Sequence, residues 1–117
     1  MNVQYGIMVK ALLKSGKDIQ ETMTASKANL VHLALGIAGE AGEVLDAIKK
    51  AVIYNKPLDR ENIIEELGDL EFHMEGLRQA IGVTREEVID ANVQKLGKRY
   101  PSGKYSDKQA QDRADKV

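Results

Sequence analysis

The sequence has no cysteine and no tryptophan, a single phenylalanine, and only two prolines in 117 residues. Without cysteine there are no disulfides, no thiolate zinc centre and no cysteine nucleophile. With four tyrosines beside the one phenylalanine, the core has to be built from Leu, Ile, Val, Ala and Met. Tyr5, Tyr54 and Phe72 are the candidates for stacking on a base, but isolated aromatics in a small core usually just pack. Charge of one sign is also lacking: the net value is −1, so no bulk attraction draws the chain to nucleic acid or to a membrane surface. No apolar run is long enough to span a bilayer. The opening MNVQYGIMVKALLKSGK has neither a basic start nor an A-x-A cleavage signal. These absences lead to the expectation of a cytoplasmic protein. A chain of this length makes one domain with a small core, and further burial has to come from association.

What is present is helical periodicity. Residues 3 to 13 carry apolar side chains at helical spacing and stop at Lys14-Ser15-Gly16; the polar stretch KDIQETMTASK follows. A long helix is expected from about Thr24 to Tyr54, ended by Asn55-Lys56-Pro57. Asp59 is placed to cap a second helix that runs to Ile81, with Gly82 fitting its C-terminus. Thr84-x-x-Glu87 reads as a capping box opening a third helix to about Tyr100, closed by Pro101-Ser102-Gly103. The polar KYSDKQAQDRADKV, residues 104–117, reads as a mobile tail or a short exposed helix. No strand and no internal repeat is evident. The expected fold is all-α: an antiparallel helical bundle over residues 1–103, completed by oligomerisation.

Inside the long helix lies GIAGEAGEV, with Gly36, Gly39 and Gly42 at every third position and Glu40 and Glu43 among them. Each interior glycine costs about 1 kcal/mol against alanine. Winding the helix at about 100° per residue gives an apolar stripe of Leu30, Leu33, Ile37, Val44, Ile48 and Ala51, with Glu40 at its edge and Glu43 one step round. The next helix has a stripe of Ile63, Leu67, Leu70, Met74, Leu77 and Ile81, with Glu66 at its edge and Asp69 one step round. One i, i+3 acid pair is ordinary solvated helix surface. Two such pairs, EAGE and ELGD, flanking the apolar stripes of successive helices, are a recurring device. Facing each other in a bundle, four carboxylates repel unless basic side chains insert among them or hard divalent cations bind. All-oxygen ligation suits Mg²⁺, with Mn²⁺ as a substitute. The glycines would let the helices approach closely enough to share an ion.

On the third helix Asn92, Lys95 and Arg99 share a face. Beside a metal–carboxylate site they would suit a polyphosphate; alone they are the solvated basic end that the helix dipole favours. His73, four residues after Asp69, and His32, one turn before Gly36, are candidate substrate contacts or core-edge residues satisfied by a hydrogen bond. A ferritin-like di-iron bundle wants Glu-x-x-His, and neither histidine follows a glutamate at that spacing.

From about Leu33 to Tyr100 the chain resembles the MazG-like nucleotide pyrophosphohydrolases of the all-α NTP pyrophosphatase superfamily. The likeness rests on GEAGE (39–43), EELGD (65–69) and ANVQKLGKRYP (91–101). It implies hydrolysis of (d)NTP to (d)NMP and pyrophosphate, with Mg²⁺ held by Glu40, Glu43, Glu66 and Asp69. Lys95 and Arg99 would bind phosphate, with Asn92 near them. Glu40 is the choice for helping to take the proton of the attacking water. It also implies a homodimer or homotetramer whose site a second chain finishes. The first acid of the family's Glu-Glu-x-x-Glu is Gly39 here, and the aromatic residue many members carry four positions after the Asp is His73. The base-gripping tryptophans of some members have no counterpart, so no base preference carries over. A phosphoribosyl-ATP pyrophosphatase-like enzyme keeps the scaffold with another substrate. A non-catalytic helical dimer that holds nucleotide or metal is the reading from another class.

Overall fold

The computed structural model describes residues 3–116 and is helical from end to end. Helix α1 is Val3–Leu12, α2 Gly16–Thr22, α3 Ala25–Ile53, α4 Arg60–Ile81, α5 Arg85–Arg99 and α6 Asp107–Asp112, followed by a 3₁₀ turn at Ala114–Lys116. No strand occurs among the described residues.

The boundaries follow local chemistry. The Thr24 side chain accepts from the Lys27 N–H, Asp59 from the Asn62 N–H and Thr84 from the Glu87 N–H, each satisfying one of the orphan donors of a first helical turn. Gly82 ends α4 at φ +75°, a left-handed conformation that glycine adopts without penalty, and its N–H returns to the Arg78 and Gln79 carbonyls. The polar stretch at residues 17–27 is largely helical. Ser15 accepts from the Asp18 N–H and opens α2, a one-sided polar helix that has no apolar stripe to announce it.

The organising contact is the antiparallel pair α3–α4. Its seam runs through Leu30, Leu33, Ile37, Glu40, Val44, Ala47 and Ala51 on α3, and through Ile63, Glu66, Leu70, His73 and Leu77 on α4; all of these are buried or half-buried. The alternation of three- and four-residue steps is that of a coiled-coil seam. The expected stripes need correcting. Ile48, Leu67, Met74 and Ile81 point outward, exposed at 39, 49, 36 and 58%. The seam is narrower than the apolar surface, so α4 carries a second apolar face that this chain leaves uncovered. Arg78 is buried at the end of the seam, its guanidinium neutralised by Glu71 and Glu75 of its own helix.

Helix α5 packs against the C-terminal segment. Of the two readings of the C-terminal segment, the helical one fits its described residues: Ser106 caps α6, and the following turn docks on α5 through Asp115.

Candidate metal and phosphate site

Glu40 and Glu66 occupy seam positions, so the close packing of α3 on α4 carries both carboxylates into half-buried surroundings. Asp69, one turn along from Glu66, reaches in from the exposed edge. Carboxylate oxygens of Glu40, Glu66 and Asp69 all lie within 4.8 Å of one another. Glu43 lies outside that tight group but within its field. The Glu66 carboxyl is pushed above the ordinary glutamate range, first by desolvation, then by the charges of Glu43, Glu40 and Asp69, and by a hydrogen bond with Glu40.

No basic side chain relieves this crowding. Among the described residues no Lys or Arg forms an ion pair with any of the four acids. Lys50, one cation that feels Glu43, is committed to Asp46 at 3.0 Å. Of the two ways to compensate converging carboxylates, inserted cations or bound ions, the described side chains do not supply the first. Three hard oxygen donors at ligating separation, one of them made harder to ionise by desolvation and by its acidic neighbours, fit a divalent cation of the Mg²⁺ or Mn²⁺ type.

The other candidates are placed differently. The His73 Nδ1 donates to the Asp69 backbone carbonyl at 2.9 Å, and the ring lies over Gly36 of α3, its edge toward Phe72 at 5.3 Å between centroids. A carbonyl only accepts, so this bond fixes the proton on Nδ1. His32 is exposed on α3, roughly 12 Å up the helix axis from Glu40. Asn92 and Lys95 are exposed on α5, and no hydrogen bond or ion pair joins them or Arg99 to the acids among the described residues. Arg99 is engaged elsewhere: its Nε and Nη2 donate to the two carboxylate oxygens of Asp115 at 2.8 and 3.2 Å. That partner was missed in the sequence, where residues 104–117 offered only a polar composition. Ser106-x-x-Gln109 was the available signal that the segment folds.

Expectation and structure also part over the glycines. A Cβ on Gly39, Gly42 or Gly68 would meet nothing within 4 Å. Of the three expected glycines, only Gly36 stands where α3 and α4 approach closely, together with Gly76 of α4.

Compared with protein-family models, residues 29–103 match the MazG nucleotide pyrophosphohydrolase domain. Comparison with curated proteins and with solved structures gave no match.

Proposed function

Because the chain belongs to the MazG nucleotide pyrophosphohydrolase domain family, we propose that it is an Mg²⁺-dependent hydrolase converting (d)NTP and water to (d)NMP and pyrophosphate. The observation that carries this reading is the uncompensated cluster of Glu40, Glu66 and Asp69, with Glu43 in its field. These four acids would hold the ions. When bound, divalent cations neutralise triphosphate charge and make the attacking water more acidic.

The chain's own groups have the remaining tasks. Glu40, half-buried with a carboxylate oxygen within 4.8 Å of those of Glu66 and Asp69, is the acid we assign to receive the proton of the attacking water. Helices α3 and α4 position the acids rigidly, which matters because phosphoryl transfer is accelerated mainly by positioning and charge stabilisation. Lys95 and Asn92, both exposed, are assigned to phosphate oxygens; Arg99 joins them by exchanging Asp115 for phosphate. Since α5 is packed on the C-terminal segment and not on the acids, a second copy of the chain completes the site. The same open architecture supports a homodimer or homotetramer. His32 and His73 are weaker candidates for substrate contact, one exposed and distant along α3, the other packed over Gly36.

The test is a panel of common NTPs and dNTPs with Mg²⁺ and then Mn²⁺, with products resolved. Monophosphate and pyrophosphate are expected. Diphosphate and phosphate would assign the acids to a different cut. Binding without turnover across the panel would favour the holding role, or a specialised substrate such as phosphoribosyl-ATP.

A further inference from the structure

The structure assigns Gly36, His73, Leu33 and Gly76 a joint role as positioning residues for the carboxylate cluster, a role that rests on the metal-holding reading above. Among the described glycines only Gly36 and Gly76 have anything within 4 Å of where a Cβ would stand. At Gly36 the neighbour is the His73 ring, with Cγ 2.6 Å away and Cδ2 and Nε2 nearer still. At Gly76 it is Leu33, with Cδ2 at 2.7 Å. The contacts are reciprocal. Leu33 and Gly36 stand three apart on α3, His73 and Gly76 three apart on α4. Each helix contributes one knob, and each receives the partner's knob where its own side chain is missing.

In an antiparallel pair such a double lock fixes separation and axial register together. The consequence follows by counting. Four residues on from Gly36 is Glu40, and four back from His73 is Asp69. A further three on is Glu43, and a further three back is Glu66. The register that seats His73 on Gly36 and Leu33 on Gly76 therefore sets Glu40 across from Asp69 and Glu43 across from Glu66. The lock lies one turn, about 6 Å, from the cluster it aligns. The His73 ring is held to its task by the Nδ1–H bond to the carbonyl of Asp69, a member of the cluster. Mg²⁺-type ions demand near-ideal geometry from their ligands, so a change in helix separation is felt first in ion binding.

The experiment uses the full chain and Mn²⁺ alone, without nucleotide, titrated by calorimetry or electron paramagnetic resonance. Gly36→Ala should weaken Mn²⁺ binding at least tenfold while helix content by circular dichroism is kept. Gly36→Ala combined with His73→Ala, in which the new methyl takes room the ring has vacated, should return affinity to within threefold of the parent. Gly39→Ala, on the same helix but facing open space, should leave it within twofold. The melting temperature of the metal-free protein reads the lock itself: Gly36→Ala should lower it and the added His73→Ala should raise it back. Unchanged Mn²⁺ affinity in folded Gly36→Ala, or a double variant no better than the single one, overturns the assignment. If Gly36→Ala does not fold, Gly76→Ala gives the decision, because the Leu33 methyl it meets lies at a flexible tip. A weaker loss of affinity, relieved by Leu33→Ala, is expected there, and no loss overturns the role. A parent that shows the melting coupling yet binds no Mn²⁺ sinks the metal reading and the positioning role with it, leaving only a packing contact.

Discussion

A carboxylate in the packed seam of two helices is an expensive residue, and the seam here holds two, Glu40 and Glu66, with Asp69 reaching toward them. Glu66 shows the cost directly: burial and three acidic neighbours raise its pKa. The arrangement works against the metal-free protein and in favour of a cation. Glu66→Gln should therefore leave the metal-free melting temperature unchanged or raise it, because a charge that repels its neighbours is gone. The same substitution should lower turnover by about 100-fold or more, the scale of losing one preorganised charge-stabilising group. Thermal melts with chelator, beside product formation with Mg²⁺, check both halves. A variant that melts lower and turns over normally would mean that Glu66 is structural. The convergence of three acids was legible in the sequence because the i, i+3 spacing recurs on two amphipathic helices. Their depth was not. Winding each helix alone put Glu40 and Glu66 at the stripe's edge, and only the partner helix reveals that they stand in the seam. The glycines differ in the same way. Gly36, Gly39 and Gly42 are equivalent in sequence, and His73, from another helix, singles out Gly36.

At the scale of elements, chemistry confined to one turn was readable. Asp59, Gly82 and Thr84 mark the ends of α4 and α5 because a cap is satisfied by neighbours in the chain. For want of an apolar stripe α2 was read only as a polar stretch, and the C-terminal α6 with its 3₁₀ turn only as one of two alternatives. The latter is docked in part by an ion pair, Arg99 with Asp115. The hydrogen bonds from the Arg99 guanidinium, followed by smaller electrostatic contributions, hold the Asp115 carboxyl below the usual aspartate range, against desolvation. A lowered folded-state pKa fixes the sign of the pH dependence. The docking contribution is fully present above the unfolded aspartate value, near 3.9, and is lost as pH falls through the lower folded value. Amide exchange in residues 107–116 should thus stay slow down to the ordinary aspartate range and accelerate below it. Asp115→Asn should produce the same acceleration at neutral pH, with α3 and α4 unaffected. Exchange insensitive to both changes would show that packing, not the ion pair, docks the segment. The pair also gives Arg99 a partner to surrender, so Asp115→Asn should free it for phosphate.

The whole molecule is open. Its radius of gyration is 20.1 Å, where a compact chain of this length has about 13 Å. Ala47 is the only buried apolar residue among those described, while Tyr5, Ile7 and Leu12 of α1, Leu35 and Leu45 of α3, and Ile64 and Phe72 of α4 are each more than half exposed. A single pair of helices with uncovered apolar surface on both sides cannot offset the conformational entropy of ordering the chain. We therefore propose that other copies pack on the second apolar face of α4 and the outer face of α3. Light scattering after gel filtration should give two or four times the 12.9 kDa chain mass, and the melting temperature should rise with protein concentration, as it does when folding and assembly are one equilibrium. Leu45→Asp supplies the contrast. On a monomer's surface a substitution at a residue 67% exposed changes stability by no more than about 0.5 kcal/mol. In an assembly it buries an unpaired charge, so the variant should dissociate and lose its cooperative melt. A parent that runs at 12.9 kDa with a concentration-independent melt would refute assembly, and would require α1 and α5 to fold back over α3 and α4 in solution. Because α5 carries Asn92 and Lys95 while the acids stand on α3 and α4, assembly and activity should fail together in Leu45→Asp, whereas Glu66→Gln should lose activity as an intact oligomer.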